Sequence, residues 1–197
     1  PNISSKNALI FDRNSKITLY EKNSFQEVAI ASTTKIMTCI LALENADLSD
    51  TITISKKAAA VTGSTLGLKE NMKFTLNDLL YGLMLRSGND CAIAIAEHIS
   101  GSTENFSILM NKKAKELNLK NTNFITPHGL DNENHYSSAY DLALLTDYAL
   151  NNNVFKKIVS TKRITINFNG YPKELINTNE LLGTQKRNIW CKNWFYI

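Results

Sequence analysis

Near its start the chain carries two strand-like segments around a short polar interruption. Ala8-Leu-Ile-Phe-Asp12 and Lys16-Ile-Thr-Leu-Tyr20 flank Arg13-Asn14-Ser15, and this pattern predicts a β-hairpin. From Ser32 onward the spacing changes. Ile36, Met37, Ile40, Leu41 and Leu43 follow a helical period, and Thr33 and Thr34 lie where that helix would begin, which puts Ser32 at or near a helix N-terminus. Further helical spacing covers residues 76–85, 92–99, 104–117 (Phe106, Leu109, Met110 and Leu117 on one side) and 139–150. Arg163-Ile-Thr-Ile-Asn-Phe168, Asn169-Gly170 and the stretch from Tyr171 then predict a second hairpin, because Asn-Gly suits the two positive φ angles of a tight hairpin turn. Strands at both ends with helices between them predict a mixed α+β domain. Its mainly antiparallel sheet would be joined from the two ends of the chain and packed on helices, with a helical central part. No repeat, linker or low-complexity segment interrupts the chain, so residues 1–197 read as one domain.

Composition narrows the function classes. The 197 residues are 43% hydrophobic and 20% charged, enough for a globular core. The net charge of +4 comes from interspersed residues, without the basic block of a nucleic-acid arm or an aromatic stacking array. Cys39, Cys91 and Cys191 are odd in number and lack C-x-x-C spacing, so they read as buried small hydrophobes rather than as a disulfide framework or zinc site. His98, His128 and His135 lack metal-binding spacing; with Asp131, His128 reads as a loop residue shaping a turn. No apolar run reaches the roughly 18 residues of a membrane span. The chain opens on Pro1 without a methionine, so an upstream segment such as a signal peptide is expected to have been removed.

Ser32-Thr-Thr-Lys35 is the first candidate for chemistry. Residues three apart on a helix share a face, so the Lys35 amine can reach the Ser32 hydroxyl. A serine needs a base to take its proton, and a partly desolvated lysine can be neutral enough to serve. The helix N-terminus adds N–H groups and a positive dipole end where an oxyanion would form. The tetrad alone equally describes a helix cap followed by a surface lysine. Ser87-Gly88-Asn89, between two apolar helical segments, offers a second hydroxyl for proton relay and an amide to hold a substrate carbonyl or Lys35; by itself it is also an ordinary helix-to-helix turn.

In this order the two elements resemble the S-x-x-K and S-x-N motifs of penicillin-recognising serine enzymes, whose third element is a K-T-G strand. Longer stretches narrow the resemblance to serine D-alanyl-D-alanine carboxypeptidases, the low-molecular-mass penicillin-binding proteins: Ala31-Ser-Thr-Thr-Lys-Ile-Met-Thr38, Leu79-Leu-Tyr-Gly-Leu-Met-Leu85, Ser87-Gly-Asn-Asp90, Ala94-Ile-Ala-Glu-His98, Pro127-His-Gly-Leu-Asp131, Tyr140-Asp-Leu-Ala143 and Asn177-Thr-Asn179. The resemblance runs from about residue 1 to about residue 184.

It implies the penicillin-binding/beta-lactamase-like transpeptidase fold, with Ser32 as the acylated nucleophile, Lys35 as its general base, Ser87 relaying a proton to the leaving D-alanine and Asn89 orienting the peptide. The implied partners are the peptidoglycan stem peptide and beta-lactam antibiotics, without cofactor, metal or nucleic acid. The implied location is extracytoplasmic, with peripheral membrane association possible in the full-length parent. Two rival expectations are a serine beta-lactamase, disfavoured because that class has Ser-Asp-Asn where this chain has Ser-Gly-Asn, and a non-catalytic binder of penicillin or cell-wall peptide.

The sequence departs from the family in one respect: it contains no K-T-G, which would follow the segment Asn177-Thr-Asn-Glu-Leu-Leu182. The tail Lys186-Arg-Asn-Ile-Trp-Cys-Lys-Asn-Trp-Phe-Tyr-Ile197 resembles no part of the family. Trp is encoded only by TGG. Advancing the frame by one nucleotide therefore forces glycine at Trp190 and Trp194, and permits Gly-Val-Lys-Thr-Gly-Phe-Thr across this stretch. The expectation is a one-nucleotide slip around Gln185 to Arg187, either a real mutation or a sequencing error, that makes 185–197 a frameshifted tail, replaces the K-T-G strand and truncates the catalytic domain; the alternative is a naturally divergent C-terminus. A sheet left with an open edge and an uncovered apolar face would fold poorly or act weakly.

Overall fold

The computed structural model describes residues 3–130, 132–180 and 182. The expectations placed on Asp131, Cys191, Trp190, Trp194 and the shifted tail lie outside them. Among the described residues there are three antiparallel two-stranded sheets around a helical body. In chain order the elements are β1 (Ala8–Asp12), β2 (Ile17–Lys22), a 3-10 turn (Ala31–Thr34), α1 (Lys35–Asn45), β3 (Thr51–Thr53), α2 (Lys56–Ala60), β4 (Lys73–Thr75), α3 (Leu76–Arg86), α4 (Asn89–Ser100), α5 (Thr103–Glu116), α6 (Ala139–Ala149), α7 (Asn153–Ser160), β5 (Arg163–Phe168) and β6 (Tyr171–Ile176).

Helix α1 is the hub. Every residue from Lys35 to Ala42 is buried, the signature of a helix enclosed on all sides, and it packs on α3, α4, α5, α6 and α7. Four of the helices around it, α3, α5, α6 and α7, begin where a short polar side chain caps them: Thr75 accepts from the Asp78 N–H, Ser102 from Asn105, Ser138 from Asp141, and Asn152 from both Val154 and Phe155. Each cap satisfies amides that the first helical turn leaves without a partner.

Both predicted hairpins form, β1 with β2 and β5 with β6. The joined sheet expected from the two ends is not seen among the described residues: β1 packs on α6 and β6 on α3, so each hairpin is docked on its own helix. The third pair, β3 with β4, and the short α2 had no readable period, being three and five residues long. Helix α7 did have one, since Phe155, Ile158 and Val159 form its buried face. Helix α4 starts at Asn89, three residues before the predicted start, so only Ser87 and Gly88 separate it from α3.

Candidate active site

Ser32 lies in the 3-10 turn and Lys35 is the first residue of α1, so the tetrad straddles the joint between a tight turn and the central helix. Ala31, just before Ser32, has a positive φ of 44°, a conformation that non-glycine residues adopt only at a cost. The carbonyl of Ala31 leaves no room beside it: a Cβ built on Gly129, itself at φ +83°, would lie 1.8 Å from that oxygen. Glycine is the residue that lets the 126–130 loop close over the turn. Thr38 holds the same loop by donating to the Pro127 carbonyl at 2.6 Å.

The break between α3 and α4 supplies the second wall. Ser87 ends α3 in the left-handed region with its N–H on the Gly82 carbonyl, and Asn89 starts α4 with its side chain turned back toward α1. Asp90 fixes this junction. Its buried carboxylate accepts the backbone N–H groups of Leu66, Gly67, Leu68 and Cys91 at 2.9–3.0 Å. That binds the 62–68 loop across the head of α4, where the helix dipole also favours a negative charge. Downstream, the Thr178 N–H donates to the Leu85 carbonyl and places 177–179 beside the end of α3.

Lys35 Nζ is the meeting point. It lies 2.8 Å from Ser32 Oγ, 2.8 Å from Asn89 Oδ1 and 2.9 Å from the His128 carbonyl oxygen, and the side chain is wholly buried. The amide of Asn89 is oriented by its other end, since Nδ2 donates to the Thr62 carbonyl at 2.8 Å. Both Asn89 Oδ1 and the His128 oxygen are therefore acceptors. Burial lowers the Lys35 pKa to about 7, and the negative charge of Asp90 opposes that only in part. A neutral amine has two hydrogens and one lone pair. With the hydrogens given to Asn89 and His128, the lone pair is left facing the Ser32 hydroxyl, the disposition a general base needs.

Three of the four predicted site residues thus meet in one hydrogen-bonded set. Ser87 stands at its edge: its Oγ is buried and has no hydrogen-bond partner among the described residues. A buried polar atom without a partner is uncommon and calls for an explanation. Sequence reasoning missed the His128 main-chain oxygen, the Asp90 clamp and the close approach of Gly129 to Ala31. The Pro127-His-Gly129 run carried a turn signal that could have pointed to the loop, whereas the clamp of Asp90 is made by backbone groups that have no sequence signature. The histidine side chains are occupied elsewhere: His98 Nε2 pairs with Asp50, His128 Nδ1 accepts from the Leu130 N–H, and His135 Nε2 is 2.8 Å from Thr34 Oγ1. Among the described residues no cluster of His, Cys, Asp and Glu could hold a metal ion, and no helix is long and apolar enough to cross a membrane. Cys39 and Cys91 are buried, as expected.

Comparison with known proteins identifies the family of the chain. A family model described as D-alanyl-D-alanine carboxypeptidase matches residues 1–191. The D-alanyl-D-alanine carboxypeptidase DacF of Bacillus subtilis (strain 168) is 42% identical over 190 residues, covering 90% of this chain and 47% of the relative. Penicillin-binding protein 5 from Haemophilus influenzae superposes with a TM-score of 0.84 at 36% identity, over 93% of this chain and 55% of the other. A mutant of the Streptomyces K15 DD-transpeptidase superposes with a TM-score of 0.89 at 31% identity, over 94% and 78%. The chain spans about half the length of the curated relatives it matches.

Proposed function

We propose, for a chain that belongs to the D-alanyl-D-alanine carboxypeptidase family, that it removes the terminal D-alanine of peptidoglycan stem peptides through an acyl-enzyme on Ser32. The observation that carries this reading is the buried Lys35 amine, its hydrogens committed to Asn89 and His128, set 2.8 Å from the Ser32 hydroxyl. Ser32 Oγ attacks the carbonyl carbon of the penultimate D-alanine as its proton passes to Lys35 Nζ. Charge on the carbonyl oxygen develops at the N-terminal end of the 3-10 turn, where backbone N–H groups can meet it. The C–N bond then breaks, and the departing amine takes a proton relayed from Lys35 by way of the Ser87 hydroxyl. Water hydrolyses the ester with Lys35 again as base. Asn89, anchored to Thr62, orients the peptide.

Beta-lactams would acylate the same serine. Action on a cell-wall substrate would be extracytoplasmic. The reading carries no cofactor, metal or nucleic acid. The absent K-T-G predicts slower acylation than in relatives that have it, because in the family that strand anchors the substrate carboxylate and completes the oxyanion hole.

The test is mass spectrometry of the purified chain after benzylpenicillin, beside Ser32→Ala, together with D-alanine release from a synthetic peptide ending in D-Ala-D-Ala. A stable adduct on Ser32 and slow D-alanine release are expected. An adduct without any D-alanine release would make the chain a penicillin binder only. Rapid penicillin turnover would make it a beta-lactamase, and no adduct on the folded chain would overturn the reading.

A further inference from the structure

His135 and Thr34 form a buried pair that the reaction outlined above does not use. The Thr34 side chain is wholly buried and His135 is 3% exposed. Their contact, His135 Nε2 to Thr34 Oγ1 at 2.8 Å, joins residues 101 apart in sequence. His135 Nδ1 accepts the N–H of Ile125 at 3.0 Å and lies 3.3 Å from the N–H of Thr126, so it bears no hydrogen. The neutral ring then has its hydrogen on Nε2 and donates to Thr34 Oγ1. Thr34 in turn spends its own proton on the Ala31 carbonyl oxygen, 2.7 Å away.

We propose that His135 is a positioning residue for the nucleophile, acting through Thr34 on the peptide unit that joins Ala31 to Ser32. In a trans peptide the C=O of Ala31 and the N–H of Ser32 point in opposite directions and share one plane. A hydroxyl pinned to the Ala31 oxygen therefore sets where the Ser32 N–H points, on the reacting side of the turn. Ala31 is held at φ +44°, a strained conformation for a non-glycine residue that persists only where the surroundings enforce it. Thr34 enforces it from one side, and the close approach of Gly129 to the same oxygen enforces it from another. The order of bonds is a one-way chain: loop amide to imidazole, imidazole to hydroxyl, hydroxyl to the carbonyl preceding Ser32.

The inference rests on Ser32 being the nucleophile. The test uses His135→Asn, which keeps an acceptor near the Ile125 amide but loses the donor to Thr34, with Thr34→Val, Thr34→Ser and the His135→Asn/Thr34→Val double variant. Two quantities are read in the full chain: the rate constant and apparent affinity for acylation by benzylpenicillin, and the backbone amide resonance of Ser32 by NMR. A reacting group displaced by about 1 Å can lose up to a hundredfold in rate. We expect His135→Asn and Thr34→Val each to acylate about 10- to 100-fold more slowly at unchanged affinity for the initial complex. The double variant should be no slower than either, and Thr34→Ser should stay near wild type. The Ser32 amide should move in the slow variants and hold its place in Thr34→Ser.

Wild-type acylation by a folded His135→Asn, or losses that multiply in the double variant, would overturn the proposal. Should His135→Asn fail to fold, the contrast between Thr34→Val and Thr34→Ser decides it in the same way. If the wild-type chain is not acylated at all, the proposed function falls. The amide shift then decides the relay alone: unmoved in Thr34→Val, it overturns the relay.

Discussion

Gly129 and Ala31 are in such close approach that a methyl group on the glycine would occupy the space of the alanine carbonyl oxygen, 1.8 Å from its centre. The contact joins the loop that supplies the His128 oxygen to the peptide that precedes Ser32, so loop and nucleophile cannot move independently.

Gly129→Ala should therefore injure both stability and chemistry. The substitution adds a side chain at φ +83° and forces backbone away from backbone, so a loss of about 1–3 kcal/mol is the minimum expected. Thermal unfolding should shift down by several degrees, and penicillin labelling of the folded fraction should slow at least about tenfold. Labelling at the wild-type rate would show that the loop is not tied to the nucleophile.

Acylation should rise with pH through about 7, where Lys35 loses its proton. Lys35→Arg fixes the charge and should lower the rate by about 10²–10⁴-fold. The stability effect has the same sign as the rate effect. The folded pKa lies below the ordinary 10.5, so between about 7 and 10.5 the unfolded chain holds the extra proton and stability rises with pH. Chemical denaturation of wild type against Lys35→Met across that window should show the rise only in wild type.

Asp90→Asn should loosen the 62–68 loop. Replacing a buried carboxylate that accepts four backbone N–H groups with an amide, one end of which is a donor, sets hydrogen against hydrogen and should cost about 2–4 kcal/mol. Hydrogen exchange at Leu66, Gly67 and Leu68 should accelerate together. Unchanged protection there would mean the loop is held by other contacts.

Acid should destabilise the chain between about pH 6.5 and 4. Burial lowers His128 to about 4, with the Lys35 charge adding to the effect, and burial alone lowers His135 to about 4. In that window the unfolded chain binds protons that the folded chain refuses, so stability falls as pH falls. Urea midpoints at pH 7, 5.5 and 4.5 should decline in wild type and decline less in His135→Asn. A flat series would mean these rings are not held neutral.

The codons of the tail make a prediction of their own. Read one nucleotide forward, the stretch beginning at Trp190 should encode Gly-Val-Lys-Thr-Gly, and a chain with that frame restored should be acylated about a hundredfold faster or more. A coding sequence that yields any other motif there removes the frameshift from consideration.

Much of this was legible beforehand, for reasons specific to each element. The helices with caps and long apolar stripes were found because each signal spans several turns, and Asn169-Gly170 marked its hairpin because few other pairs suit that turn. Ser32, Lys35 and Asn89 were singled out by motif order, and the structure joins them at one amine. What could not be read is made of main chain: the His128 carbonyl, the amides around Asp90 and the passage of Gly129 past Ala31. Their partners are set by tertiary approach, and neither periodicity nor spacing encodes that. The independence of the two terminal hairpins was hidden for the same reason, since strand pattern reveals a sheet face and not its neighbour.

Placing Ser32 and Lys35 at the head of a helix packed on five others has a consequence for how the molecule can be observed. Helix α1 touches five other helices and has no exposed turn before Leu43, so it should open only when the whole assembly opens. Covalent labelling of Ser32 would then report the fraction of intact molecules. During denaturant titration, labelling competence should vanish with the slowest-exchanging amides, while the outlying hairpins fray unnoticed.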